Sequence, residues 1–175
     1  NNSEVMLLTN NILSVSPFTT HIDIKDILKK ITKSLIINKT KTIQFWFKKI
    51  LKKNPKIAML GLNPHNAEFR KNSEENKIII PAIKNLRKLG IKLEGPLAAD
   101  TLFMKKYKKY DVVIGMFHDQ ILSPYKSIYK FNAINTTLGL KYLRASPDHG
   151  TGQDIIGKNI ANASSLIKCI NFINR

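Results

Sequence analysis

Short apolar runs of strand length alternate with stretches of helical period along this chain, and three of the runs end beside a histidine: Ile12 to Thr20 before His21, Ile57 to Pro64 before His65, and Val112 to Phe117 before His118. In a parallel α/β sheet such positions are strand carboxyl ends, where ligand sites form. The placement therefore predicts three imidazoles converging on one metal or one substrate. His149 follows a fourth run, Tyr142 to Ala145, and the chain has no other histidine. One histidine in a loop carries little information, because imidazoles are common there. Four repetitions point to a site, although residues this far apart need a fold to assemble them.

The order of elements follows from periodicity. Val5 to Thr9 and Ile12 to Phe18 read as two strands joined tightly at Asn10-Asn11. Ile24, Ile27, Leu28, Ile31 and Leu35 fall at helical spacing. A second helix is expected over Thr42 to Lys52, with Ile43, Phe45, Trp46 and Leu51 as core, and Asn54-Pro55 ends it. Lys56 to Leu62 is a buried strand and Asn63 to Glu68 a turn; Ser73-Glu74-Glu75 opens a helix that Pro81 should kink and Gly90 should close. After a short helix from Ala98 to Tyr107 come strands at Asp111 to Phe117, Phe131 to Leu138 and Tyr142 to Ala145. A Gly-containing loop, Asp148 to Gly157, leads into a last helix from about Ile160 to Ile173. Strand and helix in alternation, with apolar strands, predict a doubly wound α/β layer whose sheet is mostly parallel and flanked by helices.

Composition narrows the function classes. A chain of 175 residues with 43% hydrophobic content can form one domain, or most of one, around a sizeable core. No apolar stretch approaches the roughly 20 residues that span a bilayer and no secretory signal opens the chain, so a cytoplasmic protein without membrane contact is expected. The single cysteine, Cys169, sits in an apolar helical pattern and reads as a small buried hydrophobe. A net charge of +17 invites nucleic acid, but Lys29, Lys30, Lys48, Lys49, Lys84 and Lys105 lie on the polar sides or ends of predicted helices. With no zinc finger, aromatic RNA-binding signature or basic zipper, no nucleic-acid partner is expected. The chain opens on Asn1-Asn2-Ser3 without an initiator Met, which suggests a piece of a larger protein.

Five ordered stretches carry a resemblance: Gly61-Leu62-Asn63-Pro64-His65, Gly95 to Phe103 (GPLAADTLF), His118-Asp119-Gln120, Asn135 to Leu140 (NTTLGL) and Arg144 to Thr151 (RASPDHGT). The chain resembles the carboxyl-terminal portion of the 4-hydroxythreonine-4-phosphate dehydrogenases of pyridoxal phosphate biosynthesis. That resemblance implies an isocitrate/isopropylmalate dehydrogenase-like fold, with residues 1–175 as the metal- and substrate-binding portion of a longer two-domain enzyme. It implies NAD- and metal-dependent oxidation and decarboxylation of 4-phosphooxy-threonine to 3-amino-2-oxopropyl phosphate, in vitamin B6 biosynthesis.

By the same resemblance His21, His65 and His118 bind a divalent metal shared between the subunits of a homodimer. Three neutral imidazoles suit Zn²⁺ or Co²⁺, and Mg²⁺ less well. Lys126, Asn135 and Arg144 fall eight, seventeen and twenty-six residues beyond His118, where the family places substrate contacts. A Lys point charge beside an Arg fork is sound chemistry for a phosphate or carboxylate. The loop from His149 through Gly150, Thr151 and Asp154 resembles the adenosine-binding loop of the isocitrate and isopropylmalate dehydrogenases and is the candidate NAD contact. Asp119 could orient His118 or the substrate amine, Asp100 is a second acidic candidate, and the general base is unassigned. Ile121 stands where the family usually has Gly, and Asn66-Ala67 where it usually has Ala-Gly; Pro147 and Gly152 are also unusual. Two alternatives stay open: a paralogue acting on threonate or erythronate 4-phosphate, and a non-catalytic basic binding domain.

Overall fold

A computed structural model describes residues 4–174, so the Asn1-Asn2-Ser3 start lies outside the described residues. Among the described residues seven strands form one mixed sheet: β1 (Val5–Thr9), β2 (Ser14–Thr19), β3 (Ile57–Leu60), β4 (Leu93–Leu97), β5 (Val112–Phe117), β6 (Ile134–Leu138) and β7 (Arg144–Pro147). Their spatial order is β4-β3-β5-β2-β1-β6-β7. The pairs β4·β3, β3·β5 and β5·β2 are parallel, whereas β2·β1, β1·β6 and β6·β7 are antiparallel. Five strands therefore run one way, and β1 and β7 run against them. Asn10 turns the β1–β2 hairpin by accepting from the backbone N–H groups of Ile12 and Leu13, each at 2.8 Å, the local competition with regular structure for which Asn is favoured in turns.

Helices cover both faces: α1 (Ile24–Lys30), α2 (Lys33–Ile50), α3 (Ile80–Lys88), α4 (Ala99–Leu102), α5 (His118–Tyr129) and α6 (Ser164–Ile173). Because successive strand side chains alternate in direction, the sheet feeds two cores. Val5, Leu7, Phe18, Ile57, Met59 and Ile114 pack with α2, α3 and α6 on one side; Leu8, Val15, Ala58, Leu60 and Val113 pack with α4 and α5 on the other. Cys169 is buried among the first set, and the Trp46 ring stacks on Phe172 at 6.1 Å to join α2 to α6.

Several sequence expectations shift. The two helices expected over Ile24–Leu35 and Thr42–Lys52 break at Ile31-Thr32 instead: Thr32 caps α2 by accepting from Leu35 N at 3.1 Å, and α2 then runs unbroken to Ile50. Trp46 and Ile43 are core, but Phe45 and Leu51 are exposed. Pro81 stands in the first turn of α3 rather than kinking its middle, preceded by a π-helical turn over Glu75–Ile79. That wide turn is one way for a helix to accept a residue with no N–H to give. The helix expected over Ala98–Tyr107 is only α4 followed by a 3₁₀ turn, Lys106–Lys109. The last helix starts at Ser164, and the last strand at Arg144. Helix α5 was not expected at all. The lysines read as solvated helix faces are exposed.

Candidate metal and substrate site

The three adjacent parallel strands β2, β5 and β3 end on the same edge of the sheet, and His21, His118 and His65 follow those ends. Two hydrogen bonds fix the β2 end. Thr19 Oγ1 donates to Met116 O at 2.8 Å, tying the backbones two residues before His21 and His118, and Lys39 Nζ donates to Phe18 O at 2.8 Å. Burial lowers the Lys39 pKa, against an opposing pull from Glu4. The His21 and His118 rings lie 5.7 Å apart between centroids. Asp119 Oδ1 sits 2.7 Å from His118 Nδ1. A carboxylate there favours the Nδ1–H tautomer and leaves Nε2 with its lone pair for a ligand.

His65 is presented differently. It lies in a left-handed turn, Pro64–Phe69, in which His65, Asn66, Ala67, Glu68 and Phe69 all have φ between 49° and 56°. For L-residues this region costs about 1–2 kcal/mol each, so the turn must be held from outside. Glu75 holds it: its fully buried carboxylate accepts from Leu62 N at 2.9 Å, from Asn63 N at 2.8 Å and from Asn63 Nδ2 at 3.1 Å. Burial pushes the Glu75 pKa up, but the hydrogen bonds from Asn63 and Leu62 outweigh it and hold the group below its ordinary range. Gly61 makes room, since a Cβ there would lie 2.1 Å from Asn66 Oδ1. Gln120 links the two strand ends, accepting from Met116 N and donating to Gly61 O, each at 2.7 Å. Among the described residues no three His, Cys, Asp or Glu side chains of the single chain stand close enough to hold a metal. Within one chain, then, His21 and His118 are brought together and His65 is not.

A second part of the site opens beside His118. An open cleft of about 320 Å³ runs along α5 and is lined by His118, Leu122, Lys126, Asn135, Asp148 and His149, among others. Helix α5 explains an offset that sequence spacing left unexplained: residues 118, 122 and 126 lie four apart and so share one side of a helix. Asn135 enters from β6. Thr137 is on the same strand face, and Arg144, paired with it on β7, donates to Thr137 Oγ1 at 2.8 Å. Arg144 is exposed and lies outside the cleft lining, as do Gly150, Thr151 and Asp154 in the exposed loop beyond His149. Gly152 takes the left-handed conformation there, at φ 62°. Asp100 is turned onto its own helix, accepting from Thr101 N at 2.7 Å.

Sequence reasoning missed Asp148, which is 6% exposed and places Oδ1 3.0 Å from Lys126 Nζ. Its signals were its place in the RASPDHGT stretch and its adjacency to His149. A larger cavity of about 420 Å³, between the β1–β2 hairpin and α6, is at the opposite end of the sheet and holds none of the candidate residues.

The family model described as pyridoxal phosphate biosynthetic protein PdxA matches residues 1–173. The chain belongs to that family. It is 48% identical over 167 residues to a 4-hydroxythreonine-4-phosphate dehydrogenase of Sulfurihydrogenibium sp. strain YO3AOP1, covering 94% of this chain and 52% of the relative. With the protein of the same name from Bradyrhizobium diazoefficiens it shares 41% over 174 residues, covering 98% and 50%. Among solved structures, the Klebsiella pneumoniae 4-hydroxythreonine-4-phosphate dehydrogenase superposes with a TM-score of 0.83 at 32% identity, over 97% of this chain and 52% of that one. A Burkholderia xenovorans terephthalate 1,2-cis-dihydrodiol dehydrogenase follows at 0.78 and 25%, covering 98% and 55%. The chain thus spans about half the length of these relatives, and its fold is the isocitrate/isopropylmalate dehydrogenase-like one expected. Ile121, which the resemblance marks as a departure, is fully buried and packs on Gly115, whose absent Cβ would lie 3.0 Å from that of Ile121. The departure is therefore accommodated by the core and leaves the cleft open. No helix among the described residues is long and apolar enough to cross a membrane.

Proposed function

We propose that the chain is the metal- and substrate-binding portion of an NAD-dependent 4-hydroxythreonine-4-phosphate dehydrogenase. In this reading the full protein oxidises and decarboxylates 4-phosphooxy-threonine to 3-amino-2-oxopropyl phosphate. The observation that carries the reading is the shared cleft: His118, Lys126 and Asn135 line one space beside a pair of strand-end imidazoles. His21 and His118 of one subunit would hold a divalent metal together with His65 of the partner subunit; a homodimer accounts for the separation of His65 within one chain. Bound there, Zn²⁺, Co²⁺ or Mg²⁺ would supply Lewis-acid polarisation of the substrate oxygen. Asp119 keeps the His118 ring oriented. Lys126 binds the phosphate as a point charge, Asn135 adds a neutral hydrogen bond, and Arg144 joins them once its guanidinium leaves Thr137. His149, at the cleft's edge, with Gly150, Thr151 and Asp154 beyond it, forms the surface offered to NAD.

A phosphate-binding end is what separates this reading from other dehydrogenases of the fold, since a relative of the same architecture carries the name of a dihydrodiol dehydrogenase. The test is NADH formation by the full-length protein with metal and 4-phosphooxy-threonine, run beside threonate and erythronate 4-phosphates. Turnover of the amino acid phosphate with release of CO₂ is expected. Turnover of only the sugar acids, or of none, would refute the substrate assignment. Lys126→Ala should lower kcat/KM about 10- to 100-fold, the range of one charge-assisted hydrogen bond.

A further inference from the structure

Asp148 is a buried anion that the site described above does not use. Its Oδ1 lies 3.0 Å from Lys126 Nζ, and its own carbonyl oxygen accepts from that ammonium at 3.3 Å. Its Oδ2 is buried without a hydrogen-bond partner. The backbone is locked as firmly as the side chain: Asp148 N donates to Ser165 Oγ at 3.0 Å, and Ser165 Oγ donates to Ala133 O at 2.8 Å, pinning the end of β7 to the start of β6 through the first turn of α6. Burial and the nearby Asp148 carboxylate both push the Tyr125 phenol upward, which keeps that ring neutral beneath the cleft.

A half-satisfied buried carboxylate is a poor device for stability. Removing an ion from water is costly, and an apolar or fully hydrogen-bonded residue would serve the core as well. What the arrangement does accomplish is to restrain a lysine. A lysine head on a four-carbon stem has many rotamers to lose and otherwise favours solvent. Here it is held between a fixed carboxylate and the Phe131 ring, 6.0 Å from its centroid. An ammonium has three N–H donors; one goes to the Asp148 carbonyl oxygen while the carboxylate pairs with the charge, which leaves donor capacity for an anion entering the cleft.

We propose that Asp148 is a positioning residue: its buried carboxylate holds the Lys126 ammonium at the cleft wall so that it meets the anionic group of the substrate already oriented. The inference rests on the phosphorylated substrate proposed above. Preorganisation of this kind removes an ordering cost from binding, so its loss falls on KM more than on kcat.

The experiment uses the full-length protein with Asp148→Asn, Lys126→Met and both together, after thermal melts establish that each is folded. Asp148→Asn keeps shape and removes the charge. It should raise KM for 4-phosphooxy-threonine about tenfold with kcat changed less than about twofold. In the Lys126→Met background the same change should add nothing, the signature of a residue acting through another. Independently of any substrate, acetylation of Lys126, followed by mass spectrometry, should accelerate severalfold in Asp148→Asn. Should Asp148→Asn fail to fold, Ser165→Ala, which frees the Asp148 backbone, takes its place with the same expected directions. An unchanged acetylation rate at Lys126, or an equal KM penalty with and without Lys126, overturns the proposal. Absence of turnover by the wild-type protein counts against the assigned substrate instead, and the labelling result alone then decides the role of Asp148.

Discussion

Glu75 should be the most sensitive single position in the loop that presents His65, and the cost of losing it can be worked from the contacts. Glu75→Ala strips two backbone donors of their acceptor, Leu62 N and Asn63 N, while Asn63 Nδ2 keeps Glu74 Oε2 at 2.9 Å. A hydrogen bond to a charged group contributes about 1.5–3 kcal/mol net of water, and this half-buried loop belongs at the low end, giving a loss of about 3 kcal/mol for the two. For a protein of this size that corresponds to a melting temperature lower by roughly 6–12 °C. The sign with pH follows from the lowered pKa of Glu75. Its contribution is fully present above the unfolded carboxyl value of about 4.3 and is lost as pH falls through the folded value. Urea titrations of wild type and Glu75→Ala near neutrality and again in acid check both parts. The gap should be wide near neutrality and close in acid. A difference under about 1 kcal/mol near neutrality, or one that persists unchanged when the carboxyl is protonated, would refute the account of how the left-handed turn is held.

Three further outcomes follow from the site. His21→Ala, His65→Ala and His118→Ala should each cut metal content in purified full-length protein, and Asp119→Asn should weaken metal affinity about 10- to 100-fold by releasing the His118 ring; undiminished stoichiometry in any histidine variant would remove that residue from the ligand set. Gly61→Ala should displace Asn66, whose Oδ1 would lie 2.1 Å from the new methyl, and so lower metal content through His65 while leaving Lys126 acetylation unchanged. The chain as given should bind metal as a dimer yet show no NADH formation beside an active full-length protein, because orientation between two walls of a cleft contributes about 7 kcal/mol or more to such a reaction; comparable turnover by the fragment would show that the second wall is not needed.

The parallel strands were legible because each is an apolar run bounded by polar residues, and the three histidines were legible as markers of their ends. What sequence could not supply was the pairing of those ends. Nothing local places β5 between β3 and β2, or sets His21 beside His118 while holding His65 apart in a left-handed turn that contains no glycine. Helix α5 was hidden by Ser123-Pro124, a breaker signal that the helix tolerates in its interior. The unbroken α2 was hidden by Asn38, Lys39, Thr40 and Lys41, which are weak helix formers or polar, and whose place is fixed by tertiary packing: Thr40 is buried and its hydroxyl donates to Ile36 O at 2.7 Å. Asp148 lay in the RASPDHGT stretch without a role for a related reason, since its partner Lys126 lies on another element and nothing local pairs the two.

The two halves of the sheet divide the labour, and α5 joins them. The parallel strands β3, β5 and β2 present imidazoles at their carboxyl ends, while the antiparallel strands β6 and β7 supply Asn135 and lead into Asp148. Helix α5 begins at His118 and carries Lys126 a little over two turns later. At 1.5 Å rise per residue the two backbone positions are about 12 Å apart along its axis, and the long lysine stem can shorten that span toward the imidazole. In the proposed reading the helix would act as a ruler: one end would fix where an alcohol oxygen meets the imidazole pair, and the other where an anion sits. A short phosphorylated hydroxy acid would bridge those points, and a ligand lacking the anion would leave the Lys126–Asp148 pair with nothing to meet. Anchoring that far end by a buried carboxylate, rather than leaving it to a mobile surface lysine, makes the distance a property of the fold.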